Sequence, residues 1–168
     1  MPTKEADAEL FRLAESEAFR VPKQRTPVDV LLADGTWRKC SVFLAARSPH
    51  HDGAERVSDL LELGKEFVPA QDEGTDRITL FSRAAIAAVR VEPWAEAAPE
   101  TTGLPIEHAV GITLSNGASL EGLLTFAAPP DKARVIDHLN GAPLFFMLQE
   151  KSAVALVNKR HVVRVELR

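Results

Sequence analysis

Apolar and polar residues alternate in short runs along most of this chain, and the runs recur in one order. Val28-Asp29-Val30-Leu31-Leu32-Ala33-Asp34-Gly35 is echoed by Val110-Gly111-Ile112-Thr113-Leu114-Ser115-Asn116-Gly117. Arg56-Val57-Ser58-Asp59-Leu60-Leu61 is echoed by Arg134-Val135-Ile136-Asp137-His138-Leu139. Phe67 to Asp72 answers Phe145 to Glu150, and Ile86 to Val89 answers Val162 to Val165. Period-two alternation predicts half-buried strands, and the Asp-Gly and Asn-Gly pairs predict tight hairpin turns of type I′. A second strand follows each turn, Trp37 to Ala45 and Ser119 to Ala127. The Arg-Val-x-Asp-x-Leu blocks read as single helical turns. Strands then resume at Lys65 to Val68 and Leu144 to Met147. Each module finishes with a strand pair, Arg77 to Ser82 with Ala85 to Val91, and Ala153 to Val157 with His161 to Leu167. Five short strands in so few residues close most economically as a small barrel, which also hides sheet edges.

The expected fold is mainly β: two tandem small barrels of Sm-like or SH3-like type, preceded by an amphipathic helix. The divisions are residues 1–25 for the helix, 26–92 for the first barrel, 93–106 for a linker and 107–168 for the second barrel. In the helix, Leu10, Phe11, Leu13 and Phe19 recur near i, i+3 and i+4 among acidic and basic residues. That stripe either packs on the first module or docks another chain. Pro93 to Pro105 is rich in Ala, Glu and Pro, a linker composition.

Composition narrows the function classes. A hydrophobic content of 45% with 26% charged residues is that of a globular chain. No apolar run spans a bilayer, and the acidic start, Met1 to Glu17, lacks the pattern of a signal peptide, so a cytoplasmic location is expected. The net charge of −4 opposes strong nonspecific binding to nucleic acid. Residues 107–168 are nearly neutral, with seven Lys/Arg against six Asp/Glu. Cys40 is the single cysteine, so no internal disulfide forms.

The second module resembles the Sm and Sm-like family of small β-barrels. The spacing Ile112-x-Leu114-x-x-Gly117-x-x-Leu120-x-Gly122-x-Leu124 is similar to the family's first motif, in which one glycine turns the chain and another lets the sheet bend. Val157-Asn158-Lys159-Arg160-His161-Val162-Val163-Arg164-Val165 is similar to the second motif. The first module keeps Val30-x-Leu32-x-x-Gly35 but has Cys40 in the place of Gly122 and Arg38 in that of Leu120. Asn158-Lys159 and Ser82-Arg83 stand where RNA-binding members carry Arg-Gly or Lys-Gly, and helical turns replace their Asp-x-x-x-Asn loop. The resemblance therefore implies a divergent tandem protein, nearer to bacterial Sm-like proteins without an assigned activity than to an RNA chaperone. Ring assembly in that family extends naturally to homo-oligomers here.

The chemistry-bearing residues give no enzyme motif: no phosphate loop, no nucleophile elbow, no paired carboxylates in a recognisable spacing. No catalytic residue, cofactor or metal is expected. His50-His51-Asp52 reads as a solvated loop, and Cys40 as a small buried residue. Asp59 and Asp137 either cap backbone N–H groups or pair with Arg56 and Arg134. Lys159, Arg160, His161 and Arg164 form the compact basic cluster and the candidate contact for a partner or RNA. Bases would then stack on Phe126, Phe145 or Phe146. The expected role is non-enzymatic protein interaction or assembly, with another protein or a second copy as partner and no membrane. The alternative is RNA or single-stranded nucleic-acid binding at the basic hairpin tip.

Overall fold

The computed structural model describes residues 23–62, 65–75, 77–96, 104–141 and 143–168. The predicted helix, with Leu10, Phe11, Leu13 and Phe19, lies outside them. The described chain is mainly β. Its strands are β1 (Lys23–Leu32), β2 (Trp37–Ala45), β3 (Phe67–Asp72), β4 (Ile78–Ser82), β5 (Ile86–Val91), β6 (Ile106–Leu114), β7 (Ser119–Phe126), β8 (Phe145–Gln149), β9 (Val154–Asn158) and β10 (Val162–Leu167). Two short helices, α1 (Val57–Glu62) and α2 (Val135–Gly141), fall on the repeated Arg-Val-x-Asp-x-Leu blocks. No helix among the described residues is long and apolar enough to cross a membrane.

All the strands join one open antiparallel sheet in the order β10-β6-β7-β8-β9-β5-β1-β2-β3-β4. The order β5-β1-β2-β3-β4 in the first half is matched by β10-β6-β7-β8-β9 in the second. Registers match as well: Leu32 pairs with Ile86 as Leu114 pairs with Val162, and Val28 pairs with Val91 as Val110 pairs with Leu167. Side-chain alternation divides the interior into two cores. One gathers Val30, Val42, Leu61, Val68, Ile86 and Val89, and the other Ile112, Leu114, Leu120, Leu124, Leu148 and Val157.

Three sequence expectations change. The hairpin turns are not type I′, because Asp34 and Asn116 have no positive φ; only Gly35 (φ 87) and Gly117 (φ 85) do. Gly35 N–H bonds Leu32 O and Leu32 N–H bonds Thr36 O, with the same pair of bonds at Leu114, Gly117 and Ala118. This is the three-residue loop that ends in a left-handed glycine, with Asp34 and Asn116 side chains accepting from the N–H two residues on. The first strand begins at Lys23, earlier than the boundary at 26. The linker is not free from its start: Pro93–Glu96 forms a 3-10 turn that buries the Glu96 carboxyl against α1.

The glycine difference between halves has a physical reason. A Cβ on Gly122 would sit on the Gln149 carbonyl oxygen and 3.0 Å from Leu148 Cγ, so β7 can cross β8 this closely only with glycine. In the first half Cys40 pairs with Asp72 within a longer β2–β3 ladder that runs to Val42 and Ala70.

Candidate assembly interface

The two halves meet where β5 pairs with β9, from Ala88↔Val157 to Val91↔Val154. Every residue of β9 is buried. Val154 and Leu156 point into the first core and Ala155 and Val157 into the second, so β9 is a wall common to both. Phe145 and Phe146 of β8 divide in the same way.

Polar groups close the seam. Phe145 N–H donates to Glu62 Oε1 at 2.9 Å, and Asn116 Nδ2 donates to Leu32 O at 3.0 Å. Asn158, fully buried, donates from Nδ2 to Ile86 O at 2.9 Å and accepts from Arg160 N–H at 3.0 Å. His161 Nε2 lies 2.7 Å from Ala84 O, which can only accept, so this nitrogen carries the proton. Arg90 makes a bidentate pair with Glu150 at 2.7 and 2.9 Å, and its guanidinium lies 4.4 Å from the Trp37 ring centroid.

Among the described residues the free edges of the sheet are β4 and β10. By strand order β4 holds in the first half the place that β9 holds in the second, and β10 the place of β5. Strand register then matches Phe67 with Phe145, Ile78 with Val154 and Leu80 with Leu156, and likewise Val163 with Ala87 and Leu167 with Val91. At the seam Phe145, Val154, Leu156, Ala87 and Val91 are no more than 2% exposed. On the edge strands Ile78, Leu80, Val163 and Leu167 are 54, 63, 67 and 64% exposed, and Phe67 on the adjoining β3 is 54% exposed. Apolar side chains concentrated along unpaired strand edges mark a surface suited to strand addition.

The basic cluster is only partly a free surface. Lys159, Arg160 and His161 share one 3-10 turn. Lys159 Nζ bonds Leu139 O at 3.0 Å, and Arg83 Nη1 bonds Leu61 O at 2.9 Å in the other half. Each cation thus caps carbonyls near the end of its half's helix, where the helix dipole favours positive charge. His161 ties the two halves together, Arg160 is exposed, and Arg164 projects from β10 with Nε 3.7 Å from Glu166 Oε1. The phenylalanines suggested for base stacking are buried. Phe145 and Phe146 lie in the cores, and Phe126 is stacked on His138 at 4.2 Å and on His108 at 6.1 Å.

The acidic pair of the helical blocks takes both of its structural options. Asp137 makes a bidentate pair with Arg134, at 2.8 and 3.0 Å. Asp59 instead accepts from Arg56 N–H at 2.8 Å and from His51 at 2.6 Å, and this bond raises the imidazole pKa above its ordinary value. The Glu96 carboxylate stands 3.3 and 3.4 Å from Ser58 N, and burial holds its pKa above the usual carboxylate range. Cys40 is buried, and desolvation, with the nearby Asp72 and Asp29 charges, pushes its thiol up to about 11, the opposite of nucleophile activation. Among the described residues no three His, Cys, Asp or Glu side chains converge in a way that could hold a metal ion. A cleft of about 850 Å³ beside the seam is lined by charges of both signs, among them Asp29, Lys39, Arg90, Glu121, Glu150 and Lys151.

Sequence reasoning missed Phe67, Ile78, Leu80, Val163 and Leu167 as site residues. The repeat aligns them with Phe145, Val154, Leu156, Ala87 and Val91, but alternation alone does not separate the exposed copy from the buried one. No protein-family model, curated protein or solved structure matches the chain.

Proposed function

We propose that the chain is a pair of fused Sm-like barrels serving as a non-enzymatic assembly module, which adds strand to strand at its two open edges with a second copy of itself as partner. The supporting observation is the β5–β9 seam, which is a template for pairing β10 of one copy with β4 of the next. Transferring its register sets Val165 opposite Leu80 and Leu167 opposite Ile78, and covers the five exposed apolar residues whose counterparts the seam buries. The contact is heterologous, because the two edges differ, so repetition gives a ring if the rotation closes and a filament if it does not.

Light scattering across a range of protein concentrations tests this reading. The expected result is a mass that is a multiple of the monomer and that falls to one chain on Leu80→Asp or Val163→Asp. Both side chains are mostly exposed, so neither change should disturb the fold of a single chain. A monomer at every concentration would overturn the reading. So would a monomer that binds mixed-sequence RNA in a salt-sensitive way and loses that binding on substitution of Lys159 and Arg160 by alanine.

A further inference from the structure

The seam and the two outer edges match in apolar residues but differ in charge, and the difference identifies how one copy would recognise the next. At the seam, Arg90 of β5 reaches across to Glu150 at the end of β8 and occupies both of its oxygens. By register the counterpart of Glu150 is Asp72, and the counterpart of Arg90 is Glu166: Arg90 pairs with Asp29 as Glu166 pairs with Gly111. A plain copy of the seam at the outer edges would therefore set carboxylate against carboxylate.

The residues around each carboxylate alter that outcome. Asp72 Oδ2 accepts from the Thr79 hydroxyl at 3.0 Å, while Oδ1 is buried without a hydrogen-bond donor and has Arg38 Nη2 at 3.6 Å. Arg38 stands where the second half has the buried Leu120, so this cation exists only at the β4 end of the sheet. On β10, Glu166 is accompanied by Arg164, whose Nε lies 3.7 Å from its carboxylate, where the matching seam strand has Ala88. Each edge thus carries one acid and one base that the seam does not combine in this way, and all four are placed on the sides that the seam register brings together.

We infer that Arg38 of one copy receives Glu166 of the next, while Arg164 supplies the donor missing at Asp72 Oδ1, so that an alternating four-charge cluster of reversed sense replaces the Arg90–Glu150 pair. This rests on the edge-to-edge pairing proposed above and deepens it. The apolar residues make the edges adhesive. The charge order selects β10 as the strand that β4 accepts.

Charge reversal tests the inference through two residues whose side chains are about half exposed in the single chain. Assembly is measured by light scattering for the full chain, for Glu166→Arg, for Arg38→Glu and for the double variant, with circular dichroism to check folding. Each single reversal should weaken association roughly tenfold or more, the order expected for a close charge pair turned repulsive, and the double variant should recover most of the loss. A wild-type chain that never associates would remove the edge-pairing reading itself, and this inference with it. A wild-type chain that associates, with single reversals that leave its mass unchanged or a double variant that does not recover, would overturn the charge code alone.

Discussion

Truncating Asn158 to alanine should destabilise the protein by about 2–4 kcal/mol. The residue is fully buried at the end of β9 and spans the seam, with Nδ2 on Ile86 O and Oδ1 on Arg160 N–H. Alanine leaves Ile86 O without its donor in a place where Ile86 itself is only 1% exposed. A buried polar group so orphaned costs about 1–3 kcal/mol. Arg160 lies in an exposed turn, so water can replace its lost acceptor at small cost. The emptied side-chain volume adds roughly 1 kcal/mol, because a core relaxes only partly around a deletion. With a urea m-value of about 2 kcal/mol/M, the midpoint should fall by about 1–2 M. Because β9 walls both cores, the whole transition should move as one, with m unchanged. Asn158→Ser, the residue found at the matching position 82, should recover part of the loss, since a hydroxyl can both donate and accept. A shift below about 0.5 kcal/mol, typical of an unconstrained surface site, would refute the account of Asn158 as the polar lock of the seam, and a reduced m-value would refute a single cooperative unit.

Three further outcomes follow from the same geometry. Burial raises the Glu96 pKa in the folded state, so its contribution to stability is present below the ordinary carboxylate pKa and is lost as pH rises through the elevated value. Glu96→Gln should therefore be more stable than the parent at pH 7 and equal to it in acid, as read by thermal melts across pH. The bond to Asp59 raises the pKa of His51, so the tie between the 46–55 loop and α1 is fully present below the ordinary imidazole pKa and is lost as pH rises through the raised one. Amide exchange in that loop, corrected for intrinsic rate, should be slower at pH 5.5 than at pH 8, and His51→Ala should abolish the difference. Gly122→Ala should cost about 1–3 kcal/mol through overpacking against the Gln149 carbonyl, visible in the same urea assay.

Much of the architecture was legible because it depends on local chemistry repeated twice. Alternation placed all ten strands to within a few residues, and the Arg-Val-x-Asp-x-Leu blocks placed both short helices. Turn composition showed where the hairpins bend but not which turn they use, since an Asx side chain bonding two residues on stabilises a three-residue loop as readily as the two-residue one. The basic cluster was legible as charge and misleading as surface. Lys159 is drawn to helix carbonyls and His161 to Ala84 O, partners far away in sequence.

Strand periodicity and glycine turns are properties of neighbouring residues, so the order of amino acids is enough to specify short strands in two matching sets. How the sets join is a matter of long-range pairing. Pairing β5 with β9 buries Val154, Leu156 and Phe145 in the neighbouring core and leaves Ile78, Leu80 and Phe67, equivalent in pattern, facing outward. Alternation assigns a residue to a face of a strand, whereas burial depends on which strand lies beside it, and that pairing is set by contacts between segments some 65 residues apart in the chain.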